Sequence, residues 1–504
     1  MGRESGNGHA VIRKLLVPNR GEIAVRIARA CRELKIASVL AHAEDDDVRY
    51  VRRFFDESVS LGSGDARATY LNVGRVIDAA RGSGADALHP GYGFLSERAE
   101  LAAACDEVGV IFVGPKASSI AAMGSKAESR RLMQRHGVPV VPGYDGEEQS
   151  LDVLTSEAAR IGFPLLVKAS AGGGGKGMKI VRAAGELQAA IESAQREALK
   201  AFGDARLLLE RYIEEPRHVE FQIFGDGAGN IVHLFERDCS VQRRHQKVVE
   251  ESPAPRYSEE LRQRMAKAAI AAAASVDYRN AGTVEFILTP EGEFYFLEMN
   301  TRLQVEHPVT ELVTGVDLVR AQLQVASGAP LPWTQDALRQ RGHAMEVRVY
   351  AEDPDDRYLP QSGTIAHYIE PTGPGVRVDA GVTRGSEIGV KFDPMLSKLI
   401  AYGENREACI DRLARALRDY VILGTKTNVG WLRRVVTHPA FRDGRVSTRF
   451  LEDHAADLAP RVPDAVPQIA AAIAAAPRKR ASASAATAQR ATSIWDSLGT
   501  WGRA

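Results

Sequence analysis

The chain has 504 residues, of which 44% are hydrophobic and 26% are charged, a composition typical of globular proteins and sufficient for about three domains. Lysine plus arginine and aspartate plus glutamate number 65 each, and this balance excludes a bulk field that attracts nucleic acid or an anionic membrane. The four cysteines are widely spaced and form no CxxC pair, which argues against a zinc site or a disulfide framework. No apolar run is long enough for a spanning helix, so we expect a soluble, cytoplasmic protein without nucleic-acid or membrane partners.

The first part of the chain alternates apolar strand-like runs with amphipathic helical stretches, the pattern of a parallel α/β unit. An apolar strand at 15–17 precedes a helix that runs to about Leu34, and a second strand is expected at 37–41. A later helix is expected at 97–108. Segment 89–95, just before that helix, is too rich in glycine and proline for a regular element. We therefore place it in a loop at the strand ends, where open α/β sheets bind ligands.

Residues 171–177 form a glycine-rich loop between two strand-like runs. The glycines match a dinucleotide-binding spacing, but a strand rather than a helix is expected after the loop, and the Lys-Ser/Thr ending of a P-loop is absent. A strand, a glycine loop and a second strand are typical of a mobile flap whose backbone amides close over phosphates, with Lys168 and Lys176 supplying positive charge. The alternative is a flexible surface hairpin.

Two later strands each carry a carboxylate among apolar neighbours, Glu285 in strand 283–288 and Glu298 in strand 293–298. A Pro-Glu-Gly turn joins them, and an antiparallel hairpin would set the two side chains next to each other. Like charges at that spacing repel unless a cation lies between them, and oxygen ligands favour Mg²⁺, with Asn300 adding a further oxygen. The alternative is a solvated strand pair with outward-facing glutamates.

Beyond Asn300, the side chains of Arg302, Gln304 and Glu306 share one face if the segment is extended. A guanidinium beside a carboxylate suits the binding of a small planar oxyanion and the removal of its proton, although a surface ion pair is the ordinary alternative. Upstream, segment 236–247 carries four cationic residues and a histidine. By themselves they indicate a solvated loop or, less often, an anion site.

Five motifs closely resemble those of the biotin carboxylase family of ATP-grasp enzymes, in the family's order. They are 19–24 (NRGEIA), 89–97 (HPGYGFLSE), the loop 171–178, 242–247 (QRRHQK) and 298–307 (EMNTRLQVEH). The similarity covers about 13–453, and it implies an α/β (α+β) ATP-grasp fold.

The same resemblance implies a domain organisation. It divides the chain into an N-terminal Rossmann-like, pre-ATP-grasp domain (11–125), a glycine-loop lid with its leading linker (126–212), an ATP-grasp core with the biotin carboxylase C-terminal domain (213–455), and an alanine-rich linker with a tryptophan-containing tail (456–504).

The activity implied by the resemblance is that of a ligase that forms a C–N bond. ATP would phosphorylate bicarbonate to carboxyphosphate, and the resulting CO₂ would be captured by N1′ of biotin on a carrier protein. This is the first half-reaction of an acetyl-CoA or other acyl-CoA carboxylase, of the propionyl or methylcrotonyl type. The implied cofactors are ATP and Mg²⁺, with Mn²⁺ as a substitute.

The site residues are carried over motif by motif. The resemblance implies that ATP contacts Lys126, Lys168, Gly173, Gly174, Gly175, Met178, Glu210, Arg211, Ile213, His218, Gln242 and His245. Of these, Glu210, Arg211 and Ile213 would form the adenine hinge, His218 and Gln242 would lie near the ribose, and His245 near phosphate. The implied metal ligands are Glu285, Glu298 and Asn300.

The implied catalytic residues are Glu306, Arg348, Lys247 and Arg302. Lys247 and Arg302 would bind bicarbonate with help from Gln304 and the Val305 backbone, Glu306 would deprotonate it, and Arg348 would stabilise the biotin enolate.

Partners follow from the same resemblance. It implies a biotin carboxyl carrier protein, a carboxyltransferase partner and a homodimer formed through the first domain, where Arg29 and Glu33 suit the surface. Because no Met-Lys-Met biotin-attachment motif occurs in the sequence, the carrier is expected on another polypeptide unless the chain is a fragment. Segment 494–501 resembles the start of the second half of acyl-CoA carboxylase α subunits, and is either a docking peptide or a disordered terminus.

Two other functions compete with this hypothesis. An ATP-grasp ligase acting on another carboxylate is disfavoured by the combination of Lys247, Arg302, Glu306 and Arg348. A regulatory protein that binds nucleotide without turnover is expected to lack a metal or base residue, and none is missing.

Overall fold

The computed structural model describes residues 11–170, 178–244 and 246–460. The predicted tail lies outside these ranges, as do the predicted site residues Gly173, Gly174, Gly175, Lys176 and His245. In the described ranges, no helix is long and apolar enough to cross a membrane. The proposed domain boundaries stay a prediction.

The first part of the described chain contains a parallel sheet flanked by helices. Its elements are β1 (Lys14–Val17), α1 (Gly21–Leu34), β2 (Ala37–His42), a 3-10 turn (Val51–Phe54), β3 (Glu57–Ser60), α2 (Val73–Gly82), β4 (Ala87–Leu88), α3 (Ala99–Val108), β5 (Ile111–Phe112) and α4 (Ala117–Gly124). The strand order is β3-β2-β1-β4-β5, and all neighbouring pairs are parallel. The predicted alternating α/β pattern is confirmed.

The loop at 89–95 lies where the strand order of this sheet reverses. It follows β4, and the Asn19 amide, which follows β1, donates to the carbonyls of Pro90 and Tyr92 at 2.7 and 2.8 Å. The loop is therefore at the carboxyl ends of the strands, as predicted. The predicted helix 97–108 begins two residues later than expected, at Ala99. Glu97 stays in the preceding turn, where its carboxylate accepts a hydrogen bond from the Thr301 amide at 3.2 Å.

The next part of the chain carries the glycine loop. Its elements are α5 (Lys126–Arg135), β6 (Gly143–Tyr144), α6 (Leu151–Ile161), β7 (Leu165–Ala169), β8 (Lys179–Val181), a 3-10 turn (Ala184–Glu186), α7 (Leu187–Phe202) and β9 (Leu207–Arg211). Among the described residues the strands form an antiparallel sheet in the order β6-β9-β7-β8. The glycine loop joins the paired strands β7 and β8, which confirms the strand, loop and strand arrangement and excludes a dinucleotide-binding turn.

A large antiparallel sheet fills the rest of the described chain. The elements of this part, in chain order, are β10 (Arg217–Gly225), β11 (Ile231–Arg243), β12 (Gln246–Ser252), α8 (Glu259–Ala274), β13 (Asn280–Leu288), β14 (Phe294–Asn300), α9 (His307–Thr314), α10 (Leu318–Ala326), a 3-10 turn (Gln335–Ala337), β15 (His343–Tyr350), β16 (Glu352–Asp353), β17 (Leu359–Pro360), β18 (Gly363–Thr364), β19 (His367–Ile369), β20 (Val376–Ala380), β21 (Glu387–Ile388), β22 (Met395–Gly403), α11 (Arg406–Asp419), β23 (Val421–Leu423), α12 (Val429–Thr437), α13 (Pro439–Arg442) and α14 (Phe450–Asp453). The sheet order is β14-β13-β10-β11-β12-β15-β22-β20, and three short ribbons, β16-β17, β18-β21 and β19-β23, lie outside it.

The cation-rich segment 236–247 belongs to this sheet and is not the solvated loop that its charges indicate. Most of it lies in the hairpin of β11 and β12. Two of its buried charged side chains have partners of opposite charge on another element: Arg237 Nε lies 2.6 Å from Glu220 Oε1, and Asp238 lies 2.7 Å from Arg217. Charge pairing of this kind lets polar residues occupy a sheet interior.

Candidate active site

Charged side chains form a row across four neighbouring strands of the large sheet. The register pairs Glu298 on β14 with Glu285 on β13, Glu285 with Glu220 on β10, and Glu220 with Arg237 on β11. Directly opposed residues of an antiparallel pair point to the same face, so the row lies on one side of the sheet. The predicted juxtaposition of Glu285 and Glu298 is confirmed, and burial of Glu285 rules out the solvated strand pair.

Lys247, near the start of β12, lies among the carboxylates at this row. Its Nζ is 2.5 Å from Glu220 Oε2, 2.8 Å from Glu285 Oε1 and 2.7 Å from Glu306 Oε1. Burial by itself lowers the pKa of the Lys247 ammonium, but the three carboxylates outweigh burial and hold it well above its ordinary value. Lys247 therefore carries a fixed positive charge in a site rich in negative charge.

Glu306 lies between two cations. Its Oε1 contacts Lys247, and its Oε2 accepts a hydrogen bond from Arg348 Nη2 at 3.0 Å. Burial raises the pKa of the Glu306 carboxyl, but Lys247, Arg348 and Arg237 together hold it well below its usual range. Glu306 is consequently an anionic carboxylate at neutral pH, although it is almost entirely buried.

The segment that carries Gln304 and Glu306 is irregular rather than extended, so the predicted alternation onto one face does not occur. It ends at Glu306, the residue before α9. The turn still delivers Gln304 to the row, where Nε2 donates to Glu285 Oε1 at 2.8 Å and Oε1 accepts from Arg237 at 3.0 Å. The Val305 carbonyl accepts from Lys398 at 2.7 Å, which anchors the turn to β22.

Arg302 joins this segment to the first part of the chain. Its Nε donates to Glu97 Oε2 at 2.8 Å, and its Nη2 donates to Asn300 Oδ1 at 2.9 Å. Arg302 thus pairs with Glu97 rather than with Glu306, and its side chain is only 19% exposed, so the pair lies beside Asn300 and the carboxylate row rather than out in solvent. One guanidinium thus connects the turn before α3 with the end of β14.

Two of the predicted metal ligands, Glu285 and Glu298, carry carboxylates, which suit a hard divalent cation. Burial and the charge of Glu285 raise the pKa of the Glu298 carboxyl, the electrostatic cost that a cation between the two would relieve. As oriented, the Asn300 amide donates to Glu285 Oε1 at 2.8 Å, and its oxygen accepts from Arg302. Asn300 would offer its oxygen to a cation after rotation of the amide.

The predicted ATP-binding residues in the described ranges fall into two groups. Lys168 on β7 and Glu210 on β9 belong to the lid sheet, and Lys168 Nζ lies 2.5 Å from Glu210 Oε2. Met178 precedes β8, Arg211 ends β9, and Ile213 follows it.

The second group lies at the large sheet. His218 Nε2 lies 2.9 Å from Glu285 Oε2; burial lowers the pKa of this histidine, but Glu285 outweighs burial and the net pKa is raised. Gln242 pairs with Lys247 in the β11-β12 register. Lys126 begins α5, and its charge acts to lower the pKa of the Glu298 carboxyl.

Two site residues, Glu220 and Arg237, escape the sequence-based predictions. Arg237 is fully buried, and its guanidinium donates to five side chains, those of Glu220, Gln222, Thr310, Thr283 and Gln304. A signal exists for Glu220, because polar residues alternate with apolar ones along β10, starting at His218. That alternation predicts one polar face of the strand. It does not predict that Arg237, on the neighbouring strand β11, pairs with Glu220 on that face.

Family models match three successive segments of the chain. They are the N-terminal domain of biotin carboxylase (11–120), the ATP-binding domain of the carbamoyl-phosphate synthase L chain (125–334) and the C-terminal domain of biotin carboxylase (346–453). A biotin carboxylase of Nostoc sp. is 46% identical over 444 residues, which make up 87% of this chain and 98% of that protein. The chain belongs to the biotin carboxylase family. The family predicted from the motifs is confirmed.

Other members of the family are longer than the part that matches the chain. The α subunit of mitochondrial methylcrotonoyl-CoA carboxylase from Dictyostelium discoideum is 50% identical over 454 residues, 90% of this chain but 65% of that protein. The corresponding protein of Glycine max is 49% identical over 456 residues, again 90% of this chain but 62% of its own length. The chain thus spans slightly less than two thirds of the length of these relatives.

Solved structures of family members share the fold. The biotin carboxylase domain dimer of Hydrogenobacter thermophilus 2-oxoglutarate carboxylase, in complex with MgADP, ADP and bicarbonate, has 44% sequence identity and a TM-score of 0.85, and the match covers 90% of this chain and 100% of that one. A biotin carboxylase from Campylobacter jejuni in complex with β,γ-ATP has 40% identity and a TM-score of 0.84 over 88% of this chain and 99% of that one. The predicted ATP-grasp fold class is therefore confirmed.

Proposed function

We propose that the chain catalyses the ATP-dependent carboxylation of biotin by bicarbonate, the first half-reaction of a biotin-dependent acyl-CoA carboxylase. The observation that carries this proposal is the buried contact of the Glu306 carboxylate with both Lys247 and Arg348. Two fixed cations on either side of an anionic carboxylate suit the binding of a small anion and the transfer of its proton.

Bicarbonate is a weak nucleophile with little surface to bind, so its activation depends on positioning. Lys247 and Arg302 would bind its oxygens, with Gln304 and the Val305 backbone beside them. Glu306 is anionic at neutral pH because of its cationic neighbours, and it would accept the proton as bicarbonate attacks the γ-phosphoryl group of ATP. Gln304 is held in place from both sides by Glu285 and Arg237, which keeps this pocket preorganised.

The nucleotide would lie between the lid sheet and the carboxylate row. Lys126 and Lys168 would contact its phosphates, Glu210, Arg211 and Ile213 the adenine, and His218 and Gln242 the ribose; the loop glycines 173–175, Met178 and His245 complete the proposed set. Glu285 and Glu298, with Asn300, would hold Mg²⁺ or Mn²⁺, which neutralises phosphate charge during phosphoryl transfer. His218 Nε2 lies 2.9 Å from Glu285 Oε2, so His218 would also keep that carboxylate in position.

Biotin would react beside Arg348. The carboxyphosphate formed with release of ADP would break down to CO₂ and phosphate, the phosphate would take the N1′ proton, and N1′ would form its new C–N bond to CO₂. The Arg348 guanidinium would stabilise the negative charge that develops on the ureido oxygen. We propose that biotin arrives on a carrier protein and passes the carboxyl group to a carboxyltransferase, with an acyl-CoA as the final acceptor.

Location in the cytoplasm stays a prediction, since similar proteins include mitochondrial ones.

We also propose a homodimer, formed on the surface of α1 that carries the exposed residues Arg29 and Glu33. The ribbon of β19 and β23 supports this proposal. Ile369 and Leu423 share one face of this ribbon and are 57% and 53% exposed, and adjacent exposed apolar side chains suit a surface that another chain covers. Burial raises the pKa of the Glu370 carboxyl, next to Ile369, and the nearby charge of Arg29 acts against that rise, so the end of the ribbon lies near α1.

The test is hydrolysis of MgATP by the purified chain, with bicarbonate and free biotin each present or absent. We expect little hydrolysis without bicarbonate, stimulation by bicarbonate, and a further increase with biotin that is accompanied by carboxybiotin. Nucleotide binding without any stimulation would contradict the proposal and favour a regulatory protein. Stimulation by a different carboxylate, but not by bicarbonate, would indicate a different ATP-grasp ligase.

A further inference from the structure

A buried polar layer lies on the sheet face that carries Arg348. Glu250 on β12 is directly opposite Glu346 on β15, and Arg348 lies two residues farther along β15, on the same face. Lys398 on β22 is opposite Arg348, and Asp379 on β20 is opposite Lys398. Each of these five side chains is buried. Arg348 is therefore flanked on its own sheet face by buried charged side chains to which the proposed reaction assigns no role.

Glu250 is the member of this layer that touches Arg348 most closely. Its Oε1 accepts a hydrogen bond from Arg348 Nε at 2.6 Å, whereas Arg348 Nη2 donates to Glu306 Oε2 at 3.0 Å. Two carboxylates thus hold different nitrogens of one guanidinium. Because the group is planar and rigid, two such bonds define the direction in which it points.

Loss of the Glu250 carboxylate would leave Arg348 with its hydrogen bond to Glu306 and without the one to Glu250. The guanidinium would then be free to turn fully toward Glu306, and a two-bond pair with that carboxylate is the favoured geometry. Such a pair would draw the cation away from biotin, while Glu306 would keep its contact with Lys247. Glu250 competes with this pairing by holding Nε.

We propose that Glu250 is a positioning residue for biotin carboxylation: it orients Arg348 toward the reacting biotin and limits the pairing of Arg348 with Glu306. The inference rests on the proposed function and adds a residue to it. Its effect is expected on the biotin-dependent step, because Arg348 is the proposed biotin contact and Lys247 holds Glu306 independently.

The neighbouring residue Glu251 provides a matched control. Its carboxylate is also buried and paired with an arginine, Arg406, at 2.7 and 3.0 Å, and with His343 at 2.8 Å. Successive strand residues point to opposite sheet faces, so Glu251 points away from Arg348. Replacement of Glu251 removes a buried ion pair from the same strand without touching the proposed site.

The experiment compares the full chain with Glu250→Gln, Glu251→Gln, Arg348→Ala and the Glu250→Gln/Arg348→Ala double variant. Three rates are measured: bicarbonate-dependent ATP hydrolysis without biotin, its increase with biotin, and carboxybiotin formation, along with thermal unfolding. For Glu250→Gln we expect the biotin-dependent rate to fall about 10-fold, because glutamine can still accept a hydrogen bond from Arg348 Nε but has no charge to hold the guanidinium. The biotin-independent rate should stay within about threefold of wild type.

The double variant separates positioning from a merely structural role. If Glu250 acts through Arg348, the double variant will carboxylate biotin no more slowly than Arg348→Ala alone. An additive loss, or an equal fall of all rates in Glu250→Gln, would overturn the inference and make Glu250 structural. A wild-type response to biotin in Glu250→Gln would overturn it as well. Failure of the proposed function is distinct, since the wild-type chain itself would then show no bicarbonate or biotin response.

Discussion

At the scale of single residues, the charge state of Glu306 follows from its neighbours rather than from its burial. A buried carboxylate on its own is driven toward protonation. Lys247 and Arg348 reverse that tendency, so the pKa of the Glu306 carboxyl lies well below its usual range. The residue is thereby ready to accept a proton when an anionic substrate takes over part of the interaction with its cationic neighbours.

Glu306→Gln tests this role. We expect bicarbonate-dependent ATP hydrolysis to fall by at least about 100-fold, because glutamine keeps the shape of the side chain but is not a proton acceptor at neutral pH. ATP affinity, measured by calorimetry, should change by less than about threefold. Glu311→Gln is the control, since Glu311 is a buried glutamate on α9 paired with Arg26 and Arg377. Turnover retained in Glu306→Gln would remove Glu306 from the role of base.

At the scale of elements, the two faces of β12 have different roles: one contacts the proposed site and the other contacts α11. On one face Glu250 holds Arg348, and on the other Glu251 ties β12 to Arg406 on α11 and to His343 on β15. Burial raises the pKa of the Glu251 carboxyl, but Arg406 and His343 outweigh burial and lower it to about 2. Glu250→Gln and Glu251→Gln therefore change the proposed site and the core separately, although the two residues are neighbours on one strand.

The stabilising contribution of Glu251 depends on pH. Because its folded pKa lies below the unfolded value of 4.5, the contribution is complete above pH 4.5 and is lost as pH falls toward 2. We expect Glu251→Gln to lower the free energy of unfolding by about 2–3 kcal/mol at pH 7, and the difference from wild type to shrink below pH 4.5. Urea unfolding at several pH values measures it. The exposed Glu407 on α11 supplies the control variant Glu407→Gln, and an equal loss in both would refute the assignment.

At the scale of the whole molecule, the ribbon of β19 and β23 near α1 carries exposed apolar side chains to which the catalytic proposal assigns no role. The β19-β23 pairing places His367 opposite Leu423 and Ile369 opposite Val421. Large apolar side chains on such a ribbon are costly in water and are stabilised when a second surface covers them. This supports association through that surface.

Ile369→Asp tests the dimer. We expect the variant to sediment as a monomer at protein concentrations where the wild-type chain sediments as a dimer, because a buried unpaired charge opposes association. Leu199→Asp is the matched control, since Leu199 on α7 is also 57% exposed but lies in the lid part of the chain. A wild-type sedimentation coefficient for Ile369→Asp, or a monomer for both variants, would contradict the proposed surface.

Local patterns in the sequence predict the local parts of the fold. Alternation of apolar runs predicts the parallel sheet, and strand patterns on both sides of 171–177 predict the strand, loop and strand arrangement. The hairpin of Glu285 and Glu298 is predictable because a short turn joins its strands, so its register depends on few residues. Motifs predict the family, because each motif is a continuous run.

Other features required the tertiary structure. The charges of segment 236–247 favour a solvated loop as long as their partners are unknown, and those partners lie on other elements. Strand alternation predicts a shared face for the side chains of 302–306, whereas the position of that turn depends on Lys398, which lies 93 residues after Val305 in the chain. The register that brings Glu220 into line with Arg237 and Glu285 is likewise a property of the assembled sheet.

The sequence by itself thus determined the family, the fold class and the residue types at the proposed site, since these are written in continuous motifs and local periodicity. Only the tertiary structure decided which charges meet: Lys247 with three carboxylates, Glu306 with Lys247 and Arg348, and Arg348 with Glu250. The reason is physical. The charge state of a buried group depends on desolvation and on neighbours within a few ångströms, and both are set by long-range strand pairing that local sequence does not encode.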